Sequence, residues 1–137
     1  MADKLRLEVT TPSRFVVNED VDMVTAPGEF GEFGALPNHA SYLVSIRLGE
    51  LRYKVGGKTE YVIVSGGFAE IVADRATFLV TAAEKAHEID VQRALKAKER
   101  AEERLAAVAA KKEALDVIRA EGALQRALWR LKVAERK

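Results

Sequence analysis

From Leu5 the chain alternates apolar and polar side chains, Leu5-Arg6-Leu7-Glu8-Val9-Thr10. A period of two puts Leu5, Leu7 and Val9 on one buried face of a strand. Thr11-Pro12-Ser13 stops the run, and residues 14–17 and 21–26 make two further short strands with Asn18-Glu19-Asp20 as the turn between them. Residues 27–39, punctuated by glycine and proline, read as loop. From Tyr42 the pattern is a meander, with strands over 42–48, 50–55, 59–64, 68–73 and 76–81. Each gap carries turn chemistry: Gly56-Gly57 supplies the positive φ angles of a two-residue hairpin, Ser65-Gly66-Gly67 a bend, and Asp74-Arg75 a reversal. Many short strands at close spacing predict an all-β sandwich or barrel.

Near residue 88 the period changes. The rest of the chain is Ala-rich, highly charged and free of proline, and Asp90 is placed to cap the first turn of a helix that meets no strong breaker until Gly122. A turn is expected within residues 110–115, yet Ala109-Ala110-Lys111-Lys112-Glu113-Ala114 is itself good helix-forming material, so a hairpin and one long helix both satisfy the pattern. In the second half Val117, Ala120, Leu124, Leu128 and Leu131 form one apolar stripe, with Arg119, Arg126 and Arg130 on the opposite side. In the first half the apolar side is Ala94, Ala97, Ala101, Leu105 and Val108, and Arg93, Lys96 and Arg100 cluster on another. An alanine methyl contributes on the order of 0.8 kcal/mol of burial against roughly 1.5 to 3 for a leucine, so an alanine-lined face docks closely but weakly.

Composition sharpens this division. The net charge of +1 over 137 residues hides an asymmetry: residues 1–87 carry nine basic and twelve acidic side chains, the remainder thirteen and nine. The two parts therefore face different partners. The absence of cysteine excludes disulfides, thiolate catalysis and cysteine-based metal sites. The first residues lack the apolar core of a signal peptide, and no run approaches the roughly 18 apolar residues of a spanning helix. This predicts a chain that is soluble or held at a membrane by another protein. The two histidines, His39 and His87, have no carboxylate or second histidine at ligand spacing, and Asp90 beside Glu88 is explained by capping. No catalytic residue and no metal site is expected.

Gly31-Glu32-Phe33-Gly34-Ala35-Leu36-Pro37-Asn38-His39, then Leu48-Gly49-Glu50-Leu51, then Gly66-Gly67-Phe68-Ala69-Glu70, in that order and over nearly the whole chain, resemble the epsilon subunit of F-type ATP synthases. The arm's Ile89-Asp90-Val91-Gln92-Arg93-Ala94 is similar to a segment of nucleotide-binding bacterial members. The resemblance implies an α+β chain in two parts, an antiparallel β-sandwich over residues 1–87 and a C-terminal α-helical hairpin over 88–137. It implies a non-catalytic central-stalk subunit of a rotary, proton-translocating ATP synthase, peripheral at the cytoplasmic face of the cell membrane. The implied partners are the gamma subunit, the ring of c subunits and, when the arm extends, the catalytic alpha and beta subunits, with restraint of ATP hydrolysis as its effect. Glu32 and His39 match the loop that faces the c-ring. Their competing reading is turn chemistry, with Glu32 solvated.

Two arginine pairs, Arg93 with Arg100 and Arg126 with Arg130, could converge on one polyphosphate in an antiparallel hairpin, because planar guanidinium forks bind phosphate oxygens bidentately. The resemblance extends this set to Glu84, Ile89, Asp90, Arg93, Ala94, Arg100, Arg126 and Arg130, with ATP as a regulatory ligand and no obligatory cofactor. The plainer reading makes these arginines solvated faces with ion pairs worth about 0.2 to 0.5 kcal/mol each. A basic arm on a β-domain could instead be an adaptor for nucleic acid. Against that stand a single aromatic, Trp129, and dilution of the positive charge by Glu99, Glu102, Glu103, Glu113 and Glu121. Nucleic acid is not an expected partner, and the membrane is reached only through the complex.

Overall fold

The computed structural model describes residues 3–111 and 114–136. Among them are eight strands, β1 (Leu5–Thr10), β2 (Phe15–Val21), β3 (Met23–Gly28), β4 (Gly31–Ala35), β5 (Tyr42–Ile46), β6 (Gly49–Val55), β7 (Lys58–Val72) and β8 (Arg75–Lys85), followed by two helices, α1 (Val91–Lys111) and α2 (Ala114–Ala134). The chain divides into two compact units, Met1–Ala86 and His87–Lys137. The β-then-α architecture follows the expectation.

The strands run β2-β1-β8-β7-β5-β3-β4, and β6 joins β3 to β7 separately. The sheet therefore folds over on itself, and β2 comes to face β6 without pairing to it. Inward side chains from every strand fill one core, with Leu5, Leu7, Val24, Leu51, Tyr53, Val64, Ile71 and Phe78 all buried.

One 15-residue strand, β7, makes this possible. Its first half pairs with β6 and its second with β5, while β8 follows it from Val62 to Val72. Inward residues of β7 are even-numbered before the crossing, Val62 and Val64, and odd-numbered after it, Ala69 and Ile71. The phase changes at Gly66 and Gly67, whose φ angles are 47° and 149°. A Cβ on Gly67 would stand 2.0 Å from the carbonyl oxygen of Leu79, a distance no side chain survives. The Thr81 hydroxyl donates to the Ser65 carbonyl at 2.7 Å and holds the kink.

The structure departs from the sequence pattern in several places. Asn18, Glu19 and Asp20 are not a turn but part of β2. There they pair with β1, and Arg6 donates to the Asn18 side chain at 2.7 Å and to Asp20 at 3.4 Å. The strand run breaks instead at Asp22, a bend between β2 and β3, whose carboxylate accepts from Lys4 and from the Gly56 amide and is held below its ordinary value, first by Lys4 and then by that amide. The 27–39 segment is not all loop, since β4 forms a tight hairpin with β3 through Glu29 and Phe30. The two expected strands 59–64 and 68–73 merge into β7, the meander is broken because β5 pairs with β7 and not with β6, and β1 pairs in parallel with β8.

The helices pack on each other. Asp90 caps α1: its carboxylate accepts from the Arg93 amide at 3.1 Å and its carbonyl from the Ala94 amide at 3.0 Å. The turn expected within 110–115 takes in residues 112 and 113, which lie outside the described residues. Ala94, Ala101 and Val108 are buried on α1, and Ala120, Ala127 and Ala134 on α2, both at a spacing of seven. The expected leucine stripe on α2 is corrected accordingly, for Leu128 is 37% exposed and Leu124 and Leu131 only half-buried.

Replacing Gly67 with alanine forces the β8 backbone aside, and we expect a loss of at least about 3 kcal/mol in urea unfolding. A loss under about 1 kcal/mol would show that the crossing does not need glycine.

Candidate functional site

Three surfaces carry groups placed for contact. The first surrounds β4. Glu32 and Phe33 alternate along the strand and leave opposite faces. The Glu32 carboxylate is gripped by the Arg52 fork, Nη2 to Oε1 at 2.8 Å and Nη1 to Oε2 at 3.1 Å. Arg52 reaches it because β4 and β6 flank the same part of β3, Thr25 pairing with both Gly34 and Arg52. Hydrogen bonding to Arg52 holds the Glu32 carboxyl below its ordinary 4.5. Both side chains remain substantially exposed, so the pair contributes at most about 1 kcal/mol and mainly fixes orientation. Glu32 is thus neither simply solvated nor a free carboxylate, but half of a fixed charge pair.

His39 belongs to the other side of this strand. Its ring lies 6.2 Å from Tyr42, which meets Phe33 edge-on at 5.5 Å, and Phe33 stacks on Phe78 at 6.4 Å. The His39 amide donates to the Leu36 carbonyl at 3.2 Å, closing the loop after β4. The structure therefore places Glu32 on β4 and His39 in the loop that follows, in different neighbourhoods. Phe30 at the tip of the β3–β4 hairpin is 87% exposed. Among the described residues no group of three or more His, Asp or Glu could hold a metal ion.

The second surface is a row that crosses the sheet. Phe15, Thr10, Leu79 and Phe68 are successive cross-strand neighbours on β2, β1, β8 and β7. Phe15, Leu79 and Phe68 are each more than half exposed. Beside them an apolar hollow of about 390 Å³ is lined by Pro12, Gly67, Phe68, Leu79 and Thr81. Sequence reasoning did not single these residues out. The available signal was bulky apolar side chains in the outward phase, Phe68 before buried Ala69 and Leu79 between buried Phe78 and Val80. A contiguous patch of this kind on a monomer marks an interaction surface.

The third surface lies between the helices. Arg100 and Arg104 of α1, with Ala97 and Ala101, line a cavity of about 240 Å³ whose far wall is Ala120 and Ala123 of α2. The small side chains leave room at the seam, and Arg100 and Arg104 are among the residues that line it. The volume is below the roughly 300–1,000 Å³ of ordinary small-molecule pockets and fits a phosphate group better than a whole nucleotide.

Of the expected nucleotide-binding residues, the cavity takes in only Arg100. Arg104, one turn on, was not in the expected set. Arg93 is exposed in the first turn of α1, and Asp90 is engaged as its cap. Arg126 lies along α2, its Nη1 3.3 Å from where a Gly122 Cβ would stand, and Arg130 is half-buried. Ile89 and Ala94 are buried. Glu84 belongs to the other unit, on β8 opposite Ile63.

Residues 4–86 match the family model for the ATP synthase delta/epsilon chain β-sandwich domain, and residues 87–135 that for its long α-helix domain. The chain is 52% identical to an ATP synthase epsilon chain of Syntrophobacter fumaroxidans, covering 99% of both chains, and 51% identical to one of Nitratidesulfovibrio vulgaris, covering 97% of both. It is similar in structure to a chain of the Euglena gracilis mitochondrial ATP synthase OSCP/F1/c-ring assembly, with a TM-score of 0.80 at 26% identity over 96% of this chain and 81% of that one.

Proposed function

We propose, since the chain belongs to the ATP synthase delta/epsilon chain family, that it works as the epsilon subunit on the rotating central stalk of a proton-translocating synthase. It is a non-catalytic subunit. End-to-end agreement with relatives named epsilon chain, across both units and without a large unmatched segment, is the observation that carries this reading. A stalk subunit must pass torque without deforming, and a dry core under a continuous hydrogen-bonded sheet suits that task.

In this assembly the row Phe15, Leu79 and Phe68 meets gamma, and Glu32 on β4 with His39 in the loop after it meets the c-ring. The helical arm reaches the alpha and beta subunits and restrains ATP hydrolysis. No described helix is long and apolar enough to cross a membrane. In this reading the complex itself holds the chain at the cytoplasmic face. Burying an apolar side chain of this size contributes about 1.5 to 3 kcal/mol. Phe68→Ser with Leu79→Ser should therefore weaken binding to gamma about 100-fold or more while leaving the melting temperature of the free chain within a few degrees. Undiminished binding would overturn the assignment of this face.

The arm also serves as an ATP sensor in this reading. Arg100 stands at the alanine-lined cavity with Arg104, and Arg93, Arg126 and Arg130 complete a positive set on the same two helices. A ligand selective for the paired helices stabilises them by RT ln(1 + [ATP]/Kd), about 2.7 kcal/mol at a hundredfold excess over Kd. High ATP then keeps the helices paired, and falling ATP releases them to block wasteful hydrolysis. Calorimetric titration of the chain with MgATP should give saturable binding that Arg100→Ala and Arg126→Ala each weaken at least tenfold without unfolding the sandwich. Unchanged affinity in both variants would sink the site.

A further inference from the structure

The loop after β4 is tied down from an unexpected distance. Asn38 sits in the left-handed region at φ 67°, which places its amide outside any strand ladder. That amide donates to the Asp74 carboxylate, from the turn between β7 and β8, and the Asn38 side chain donates to Asp3 at 3.3 Å. Asp74 is itself anchored, because its carbonyl accepts the Arg6 amide at 2.8 Å where β1 joins β8. The reversal at Ala73 and Asp74 has φ angles of 50° and 60°. These are the values of a two-residue hairpin that normally takes asparagine and glycine. A residue with a side chain pays for that conformation, and at Asp74 the side chain is the part that reaches Asn38.

We infer that Asp74 is a positioning residue. It holds the segment from Leu36 to Ala40, and with it His39, in the single conformation in which the loop meets the ring of membrane-embedded subunits. This rests on the proposed ring contact of that loop and adds the element that fixes it. The hydrogen bond spans 36 residues of sequence and joins two turns at one end of the sheet. The loop is thereby coupled to the β7–β8 hairpin, the same pair of strands that carries Phe68 and Leu79. A loop that must follow a rotating partner without slack gains from such a tie.

Glycine is the informative substitution. Asp74→Gly removes the acceptor but improves the turn, since glycine adopts this φ without strain. Fold stability should hold or rise even as the loop is freed. Asp74→Asn keeps an acceptor oxygen and should restore the tie. The full chain is measured by hydrogen exchange, and the assembled synthase by ATP-driven proton pumping per ATP hydrolysed. We expect exchange of the Asn38 amide to rise at least tenfold in Asp74→Gly and the pumping ratio to fall, with both returning toward the parent in Asp74→Asn. Unchanged exchange at Asn38 overturns the tie itself. Faster exchange with an unchanged pumping ratio overturns the positioning role, and His39→Ala in the same assay locates the fault. If His39→Ala also leaves pumping unchanged, the ring contact of the loop is what fails; if it lowers pumping, only the role of Asp74 does.

Discussion

The close approach of Gly67 to the β8 backbone is the constraint on which the sandwich depends. A strand can serve two sheet regions only if it changes which side chains face inward, and β7 makes that change between Val64 and Ala69. The left-handed angles at Gly66 and Gly67 permit it. Thr81 closes the local gap with its bond to the Ser65 carbonyl. Past the kink, β7 pairs with β5 and β8 and presents Phe68 outward beside Leu79, then ends in the turn whose Asp74 holds Asn38. One backbone feature thus sets the position of the apolar row and, through the far end of the same hairpin, that of the loop.

The helical unit follows different physics. Its buried positions repeat every seven residues and are mostly alanine. Methyl groups let two backbones approach closely, but each contributes little burial energy. Such packing gives a defined pairing with a shallow energy gap, and an element of that kind can be shifted by a ligand worth a few kcal/mol. Larger side chains at Ala101 or Ala120 would fill the cavity where Arg100 and Arg104 stand. The alanines therefore matter for the space they leave as well as for the contact they make.

Much of this was legible in the sequence. The period-two run from Leu5 to Thr10 and the Gly56-Gly57 turn appear as read, and so does the Asp90 cap, because in each case local chemistry and tertiary context agree. The misreadings in the sheet have one cause, long-range pairing that overrides a local signal. Asn18, Glu19 and Asp20 have turn chemistry, yet all three pair with β1, and Arg6 on that strand satisfies the side chains of Asn18 and Asp20. Gly66-Gly67 looks like the end of a strand because it breaks the alternation, when in fact it lets the strand continue. The α2 stripe went to leucines because hydrophobicity was weighed above size, whereas the seam selects small residues. At the site, Glu32 and His39 were found by motif, but the Arg52 fork lies 20 residues from Glu32 and the Asp74 tie 36 residues from Asn38, and no periodicity announces a contact of that kind.

The central claim is that one rigid sandwich presents two separate surfaces to two different partners in the rotor. The chain contains no cysteine, so single-cysteine variants give unambiguous cross-links in the assembled complex. His39→Cys should join a subunit of the ring, and Leu79→Cys should join gamma, each in high yield and neither in the other's place. Cross-linking of both positions to the same partner, or of neither to any stalk or ring subunit, would contradict the account.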